Sequence, residues 1–315
     1  MECVFLDKGS LDPGDLNIEP LQSKFSRWIE YEVTASNEVA SRISNADVII
    51  TNKVNITEAI LEASPKLKLI CISATGTDIV DLQAAKQLNI PVCNVRGYAT
   101  HSVVQHVFSL ILALHNNLIN YDQLVKNRAW NKSDHFCLLN YPIEEVFNKT
   151  LGIIGYGELG KAVNNAAKTF GLNVIVAESL VGQKTNNRIP LSELLQQSDI
   201  VSLHCPLTPQ TQHLINQKTL SLMKPTSFLI NTARGGVINE VDLLDALQTR
   251  KIAGAALDVL TQEPPRDNIL INANLPNLII TPHIAWASQR SRQNLVHELA
   301  KNVEAFLNGE QRNWV

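Results

Sequence analysis

Neither sign of charge predominates in this chain: 27 lysines and arginines face 30 aspartates and glutamates, a formal net charge of −3. That balance leaves no case for a polyanion such as nucleic acid, or for an acidic membrane surface, as partner. Long apolar runs are also missing. The longest strongly apolar stretch, Val107–Leu114, is far short of the roughly 20 residues a membrane-spanning helix needs. The first residues, Met1-Glu2-Cys3-Val4-Phe5, lack the basic-then-apolar order of a secretory leader. The five cysteines (Cys3, Cys71, Cys93, Cys137, Cys205) are odd in number, scattered, and mostly set in apolar runs. They read as buried, reduced thiols of a cytoplasmic protein rather than a disulfide framework. No Cys/His group has metal-ligand spacing, and His101 and His106 have no acidic or thiol neighbour in sequence, so no metal is expected. Low-complexity segments and short-period repeats are absent.

What is present is an ordinary globular composition, 45% apolar and 18% charged over 315 residues, enough for two domains. Short apolar runs alternate with helical patterns in two blocks. In the first, strands are expected at Cys3–Leu6, Val48–Thr51, Leu69–Ser73 and Val92–Val95, with helices such as Ile56–Ala63 and Ile79–Leu88 between them. In the second, strands are expected at Leu151–Ile154, Asn173–Ala177, Ile200–His204, Phe228–Asn231, Ala255–Val259 and Leu278–Ile280. Helices Leu191–Gln197 and Glu240–Gln248 separate some of these. Strands that are apolar throughout, without clean alternation, indicate parallel sheets covered on both faces. The expected fold class is α/β, with two doubly wound parallel-sheet domains. A long helix from His101 to Leu124 joins the blocks, and a last helix spans Ala287–Leu307. The stretch Arg128–Phe147 holds Trp130, Phe136, Leu138, Leu139, Tyr141 and Phe147 without regular period. It reads either as an arm packing on a second subunit or as a loop tucked against its own domain.

The most specific signal is Leu151-Gly152-Ile153-Ile154-Gly155-Tyr156-Gly157-Glu158-Leu159-Gly160, an apolar run closing in G-x-G-x-x-G. Gly155 lets the strand turn into the helix, Gly157 lets a pyrophosphate approach the backbone, and Gly160 lets helix and strand pack closely. The first N–H groups of the helix then face the phosphates. The second strand of this unit leads to Glu178, 18 residues after Gly160. An acidic side chain there accepts hydrogen bonds from ribose hydroxyls and repels a 2′-phosphate, and Ser179, Leu180 and Val181 follow it without an arginine. The expected cofactor is therefore NAD (NADH).

Three further segments follow successive strands: Asn231-Thr232-Ala233-Arg234-Gly235-Gly236, then Leu257-Asp258-Val259 with Glu263-Pro264, then Thr281-Pro282-His283-Ile284-Ala285-Trp286. A fourth, Ser73-Ala74-Thr75-Gly76-Thr77-Asp78, ends a strand of the first block. Ligands of open α/β sheets bind at carboxyl strand ends. Taken singly, Arg234 reads as a surface charge, Glu263 as a turn residue and His283 as a packed histidine. Together, behind a dinucleotide turn, they suit hydride transfer to a 2-oxo acid. Arginine supplies a planar fork for the carboxylate and carbonyl. Histidine supplies the proton for the new alkoxide, and a carboxylate beside it orients the ring and favours its charged form.

Over essentially its full length the chain resembles the D-isomer-specific 2-hydroxyacid dehydrogenase family. The likeness rests on Gly155–Gly160, His204-Cys-Pro-Leu-Thr-Pro209, Asn231–Gly236, Ala256-Leu-Asp-Val259 with Glu263-Pro264, and Pro282-His283. Within it, Ala74-Thr-Gly-Thr-Asp78, Gly97-Tyr98, Ser102-Val103, Gln105-His106 and His283-Ile-Ala-Trp-Ala-Ser288 resemble the glycerate dehydrogenases, also called hydroxypyruvate reductases. The resemblance implies a Rossmann NAD-binding domain (100–287) inserted into a flavodoxin-like substrate domain (1–99 and 288–315), in a cytoplasmic homodimer. It implies that Arg234 binds the substrate, that His283 donates the proton and that Glu263 is its partner. Thr75, Gly76 and Trp286 would complete the substrate site. Glu158 and Leu159 would cover the pyrophosphate, Cys205, Pro206 and Thr211 the adenosine side, and Thr232, Ala233 and Asp258 the nicotinamide. Two positions depart from the pattern: Glu178, where Asp is commoner, and Arg96, where Pro often precedes Gly97. The implied reaction is interconversion of hydroxypyruvate or glyoxylate with D-glycerate or glycolate. Another D-2-hydroxy acid such as D-lactate, or an NAD-sensing corepressor of the same fold, is the alternative.

Overall fold

A computed structural model describes residues 1–180 and 187–315. The chain divides into two compact units, Met1–Ala99 with Trp286–Val315, and Thr100–Ala285.

The first unit is built on five parallel strands: β1 (Glu2–Phe5), β2 (Arg27–Glu30), β3 (Val48–Thr51), β4 (Leu69–Ile72) and β5 (Val92–Cys93). Their order is β2-β1-β3-β4-β5, a doubly wound arrangement of the flavodoxin type. Alternate residues serve two separate cores. Val4, Ile49 and Ile70 pack on one face with Val39, Ile43 and Leu61. Cys3, Phe5, Val48, Ile50 and Cys71 pack on the other with Leu295, Val296, Leu299 and Val303 of the final helix, Gln289–Leu307. Because both faces are covered, β1, β3, β4 and β5 are apolar except where Glu2 starts β1 and Thr51 ends β3, which is why they read as apolar runs. The one strand without such a run is β2, Arg-Trp-Ile-Glu, an edge strand with exposed ends. Two apolar residues between two charged ones make too short a run to signal a strand.

The second unit holds six parallel strands: β6 (Thr150–Ile154), β7 (Asn173–Val176), β8 (Ile200–Leu203), β9 (Phe228–Asn231), β10 (Gly254–Leu257) and β11 (Leu278–Ile280). Their order is β11-β10-β9-β8-β6-β7. Beyond β7 a parallel bridge, Ala177 to Ile189, stands where a further edge strand would run. The two halves thus wind outward from a switch point between β6 and β8, where such sheets bind ligands.

The helix expected from His101 to Leu124 is two helices, Thr100–His115 and Leu118–Lys126, bent by 63°. The break lies at Asn117, whose φ of 48° is left-handed, a conformation asparagine tolerates better than most residues. Among the described residues no single helix is long and apolar enough to cross a membrane, though this bent pair meets the length and composition criteria jointly.

The stretch 128–147 divides into a tucked base and a bare tip. Tyr141 packs edge-on against Tyr121 with ring centroids 5.5 Å apart, and Glu144 N–H donates to the His115 carbonyl at 3.1 Å. Phe136 and Leu139, in contrast, are 91% and 81% exposed.

Candidate functional site

The glycine turn after β6 behaves as three distinct steric requirements. Gly155 has φ +93°, and a Cβ there would lie 2.4 Å from the Cys205 amide nitrogen. A Cβ at Gly160 would lie 2.2 Å from the Gly155 carbonyl oxygen, so helix and turn touch through bare backbone. A Cβ at Gly157 would meet nothing within 4 Å. Gly157 caps the helix Glu158–Thr169, and no side chain caps that first turn. An open, uncapped helix start beside a bare backbone fits a pyrophosphate, which supplies the acceptors the first N–H groups need. Leu159 is half-buried in the first turn, and the Glu158 carboxylate accepts a hydrogen bond from Thr100 Oγ1.

Glu178 follows β7 at its carboxyl end, and its N–H donates to the Ile189 carbonyl at 2.8 Å. Val181, read as one of the non-basic residues after it, lies outside the described residues. Beyond them, Arg188 sets its guanidinium 5.7 Å from the centroid of the Tyr156 ring in the glycine turn. Sequence reasoning missed this cation, because only the return of the chain at Ile189 brings it to the turn.

After β8, Thr211 is buried, and its Oγ1 donates to the Pro206 carbonyl at 2.6 Å and accepts from the Thr208 N–H at 2.7 Å. Its hydroxyl therefore shapes the 206–211 turn. Burial holds the Cys205 thiol up at about 11. Burial also pushes His204 down to about 4, and its Nε2 pairs with Ser202 Oγ at 2.8 Å. That ring is neutral at physiological pH and no source of protons.

After β9, the fully buried Asn231 folds the next loop: its Nδ2 donates to the Arg234 carbonyl at 2.9 Å and its Oδ1 accepts from Ala233 N–H at 3.0 Å. The half-buried Arg234 donates from a terminal nitrogen to the Ala233 carbonyl at 2.9 Å. Thr232 Oγ1 is buried with no hydrogen-bond partner among the described residues. Gly235 lets this loop reach the one after β10, since a Cβ would sit 2.0 Å from the Leu260 carbonyl carbon.

That next loop carries Asp258 and Glu263. Glu263 Oε1 accepts from Leu260 N–H at 2.9 Å, and Oε2 lies 2.5 Å from His283 Nδ1. The two side chains are 31% and 26% exposed, so a ligand can still reach the ring. His283 itself has φ +55°, a left-handed conformation that costs a non-glycine residue about 1–3 kcal/mol and persists only where its surroundings over-determine it. Asp258 does so. It is 1% exposed; its carbonyl accepts the His283 N–H at 2.8 Å, and its carboxylate accepts Ile284 N–H (3.0 Å), Ala285 N–H (2.8 Å) and Thr281 Oγ1 (2.5 Å). Burial alone would raise this carboxyl, but hydrogen bonds from His106, Thr281, Ala285 and Ile284 outweigh it and hold it below the usual carboxylate range.

Because β9, β10 and β11 are neighbours and parallel, the Arg234, Glu263 and His283 loops emerge side by side. Thr75, Gly76 and Trp286 belong to the other unit. There Thr75 Oγ1 donates to the Val95 carbonyl at 2.8 Å, Asn94 Nδ2 donates to the Thr75 carbonyl at 2.7 Å, and Trp286 meets Tyr98 edge-on with centroids 6.3 Å apart. Among the described residues no group of three or more His, Cys, Asp or Glu side chains is placed to hold a metal ion.

Comparison with known proteins agrees with this architecture. Residues 108–285 match the family model for the NAD-binding domain of D-isomer specific 2-hydroxyacid dehydrogenases. A glycerate dehydrogenase of Methylorubrum extorquens is 44% identical, the alignment covering 100% of this chain and 98% of that one. A hydroxypyruvate reductase of Blautia hydrogenotrophica is 38% identical, covering 100% and 99%. Among solved structures, an acyclic imino acid reductase in complex with NADPH and D-Arg superposes with a TM-score of 0.89 at 30% identity, covering all of both chains. An uncapped dinucleotide turn, a histidine–glutamate pair on parallel strand ends and full-length likeness of this degree place the chain in the D-isomer-specific 2-hydroxyacid dehydrogenase family, NAD-binding enzymes that interconvert 2-oxo acids and D-2-hydroxy acids.

Proposed function

We propose that this enzyme reduces hydroxypyruvate or glyoxylate with NADH, and in reverse oxidises D-glycerate or glycolate. The observation that carries the reading is the 2.5 Å contact between Glu263 and His283 at the carboxyl end of the sheet that bears the dinucleotide turn. The names of the two relatives above support the substrate class.

Gly155, Gly157, Glu158, Leu159 and Gly160 hold the pyrophosphate, and Glu178 takes the ribose hydroxyls. Cys205, Pro206 and Thr211 line the adenosine side. Thr232, Ala233 and Asp258 line the nicotinamide, where the unsatisfied Thr232 hydroxyl meets its need for a polar partner. Bound NADH supplies the hydride. Arg234 grips the substrate carboxylate and polarises the carbonyl; the Thr75 and Gly76 backbone and Trp286 are the candidate substrate contacts within the first unit. His283 gives the new alkoxide its proton from the ring nitrogen opposite Glu263, and Glu263 holds the ring in that orientation. The exposed tip of the 128–147 stretch packs on a second copy, giving a homodimer, and the buried thiols suit the cytoplasm.

Steady-state NADH oxidation with hydroxypyruvate, glyoxylate, pyruvate and 2-oxoisocaproate tests the proposal. Hydroxypyruvate and glyoxylate give the highest kcat/KM if it is correct. Preference for 2-oxoisocaproate or pyruvate replaces the substrate assignment, and binding of NADH without turnover of any of the four points to a sensor rather than an enzyme.

A further inference from the structure

Ser102 and His106 lie four residues apart on the helix Thr100–His115 and so share one of its faces. Both reach the turn that carries His283. Ser102 Oγ donates to the Ala285 carbonyl at 2.7 Å. His106 Nε2 lies 2.9 Å from Thr281 Oγ1 and 3.4 Å from Asp258 Oδ1. The proton inventory settles which group donates. Thr281 has one hydroxyl hydrogen and gives it to the Asp258 carboxylate at 2.5 Å, so the oxygen can only accept from His106. Nε2 of His106 therefore carries a proton and donates.

We propose that His106, with Ser102, is a positioning residue for the proton donor. The Asp258 carboxylate holds the turn through Ile284 and Ala285 N–H, but a carboxylate only accepts and needs a fixed orientation of its own. His106 and Thr281 supply it from the helix side. Ser102 ties the carbonyl end of the same turn, so the helix grips residues 281–285 at both ends while Glu263 sets the ring. Neither residue touches the substrate. The inference rests on His283 being the proton donor.

The experiment compares His106→Leu, His106→Gln, Ser102→Ala and His283→Ala in NADH-dependent reduction of hydroxypyruvate, with NADH affinity by fluorescence titration and thermal midpoints alongside. His106→Leu lowers kcat about 10- to 100-fold, the scale of a displaced catalytic group, with NADH affinity and thermal midpoint near those of the native enzyme. His106→Gln, whose amide nitrogen can occupy the Nε2 position, recovers most of the loss. Ser102→Ala lowers kcat in the same selective way, to a lesser extent, and serves should His106→Leu fold poorly. Native-like kcat in His106→Leu overturns the inference, as does a joint collapse of kcat, NADH affinity and stability that the glutamine variant fails to rescue. If His283→Ala keeps turnover, the proton-donor reading falls instead. Loss in His283→Ala alone leaves that reading standing and removes only the role of His106.

Discussion

At the scale of single residues, the three glycines of the dinucleotide turn make separable demands. Gly157→Ala adds a methyl group into open space, so the fold tolerates it while the pyrophosphate loses its approach. Native-like thermal stability with NADH affinity at least tenfold weaker is expected from melting and fluorescence titration; roughly 1.4 kcal/mol corresponds to each tenfold step. Gly160→Ala drives its methyl into the Gly155 carbonyl at 2.2 Å. It is expected to lower the melting temperature as well, because backbone rather than a flexible side chain must yield. The Glu263–His283 pair makes a second prediction. Glu263→Gln leaves an amide in place of the carboxylate beside His283 Nδ1 and is expected to lower kcat for reduction with NADH affinity near that of the native enzyme, while His283→Ala removes about 10²–10⁴ of the rate. Native-like kcat for both variants in steady-state NADH oxidation contradicts the assigned roles.

At the scale of elements, Asp199 joins the start of β8 to its neighbours. Its carboxylate accepts the Thr150 N–H at the head of β6 and the Lys224 ammonium ahead of β9, each at 2.8 Å. Burial raises this carboxyl, but the Lys224 and Thr150 hydrogen bonds outweigh it and hold it below the usual range. A carboxyl whose folded value lies below its unfolded value, about 3.9 for aspartate, stabilises the fold above that pH. The contribution is lost as pH falls through the folded value. Asp199→Asn should thus melt below the native enzyme at pH 7, with the gap closing as pH falls past the unfolded carboxyl value and through the lower folded one. A gap independent of pH shows that the contact is not electrostatic. The strands themselves were largely legible, since parallel strands covered on both faces leave apolar runs. Edge strand β2 was not legible, because half of Arg27–Glu30 faces outward. Nor was the break at Asn117: a left-handed φ at one asparagine leaves no trace in a periodicity that runs apolar on either side.

At the scale of the whole molecule, the bare tip of the 128–147 stretch is the feature a single chain leaves unexplained. Phe136 and Leu139 stand 91% and 81% exposed, beside Trp130 and Ile143 at 50% and 57%. Several large apolar side chains left in water along one stretch suit an association surface. Phe136→Ser with Leu139→Ser should convert the proposed homodimer to a monomer in sedimentation velocity, with the melting temperature of the monomer dependent on none of these contacts. A native protein that sediments as a monomer over the micromolar range removes the proposal outright.

The amino-acid sequence by itself determined the doubly wound class and the dinucleotide turn, and it marked Arg234, Glu263 and His283 as candidates. These rest on local chemistry: glycine spacing, apolar runs, and residue types set just beyond strand ends. Tertiary structure alone decided that Glu263 and His283 touch, that Asp258 braces a left-handed histidine, and that Ser102 and His106 grip its turn. Those contacts join residues 20 to 183 positions apart, and a distance in space between such positions is set by how strands order in a sheet and helices cover it, for which no local pattern exists.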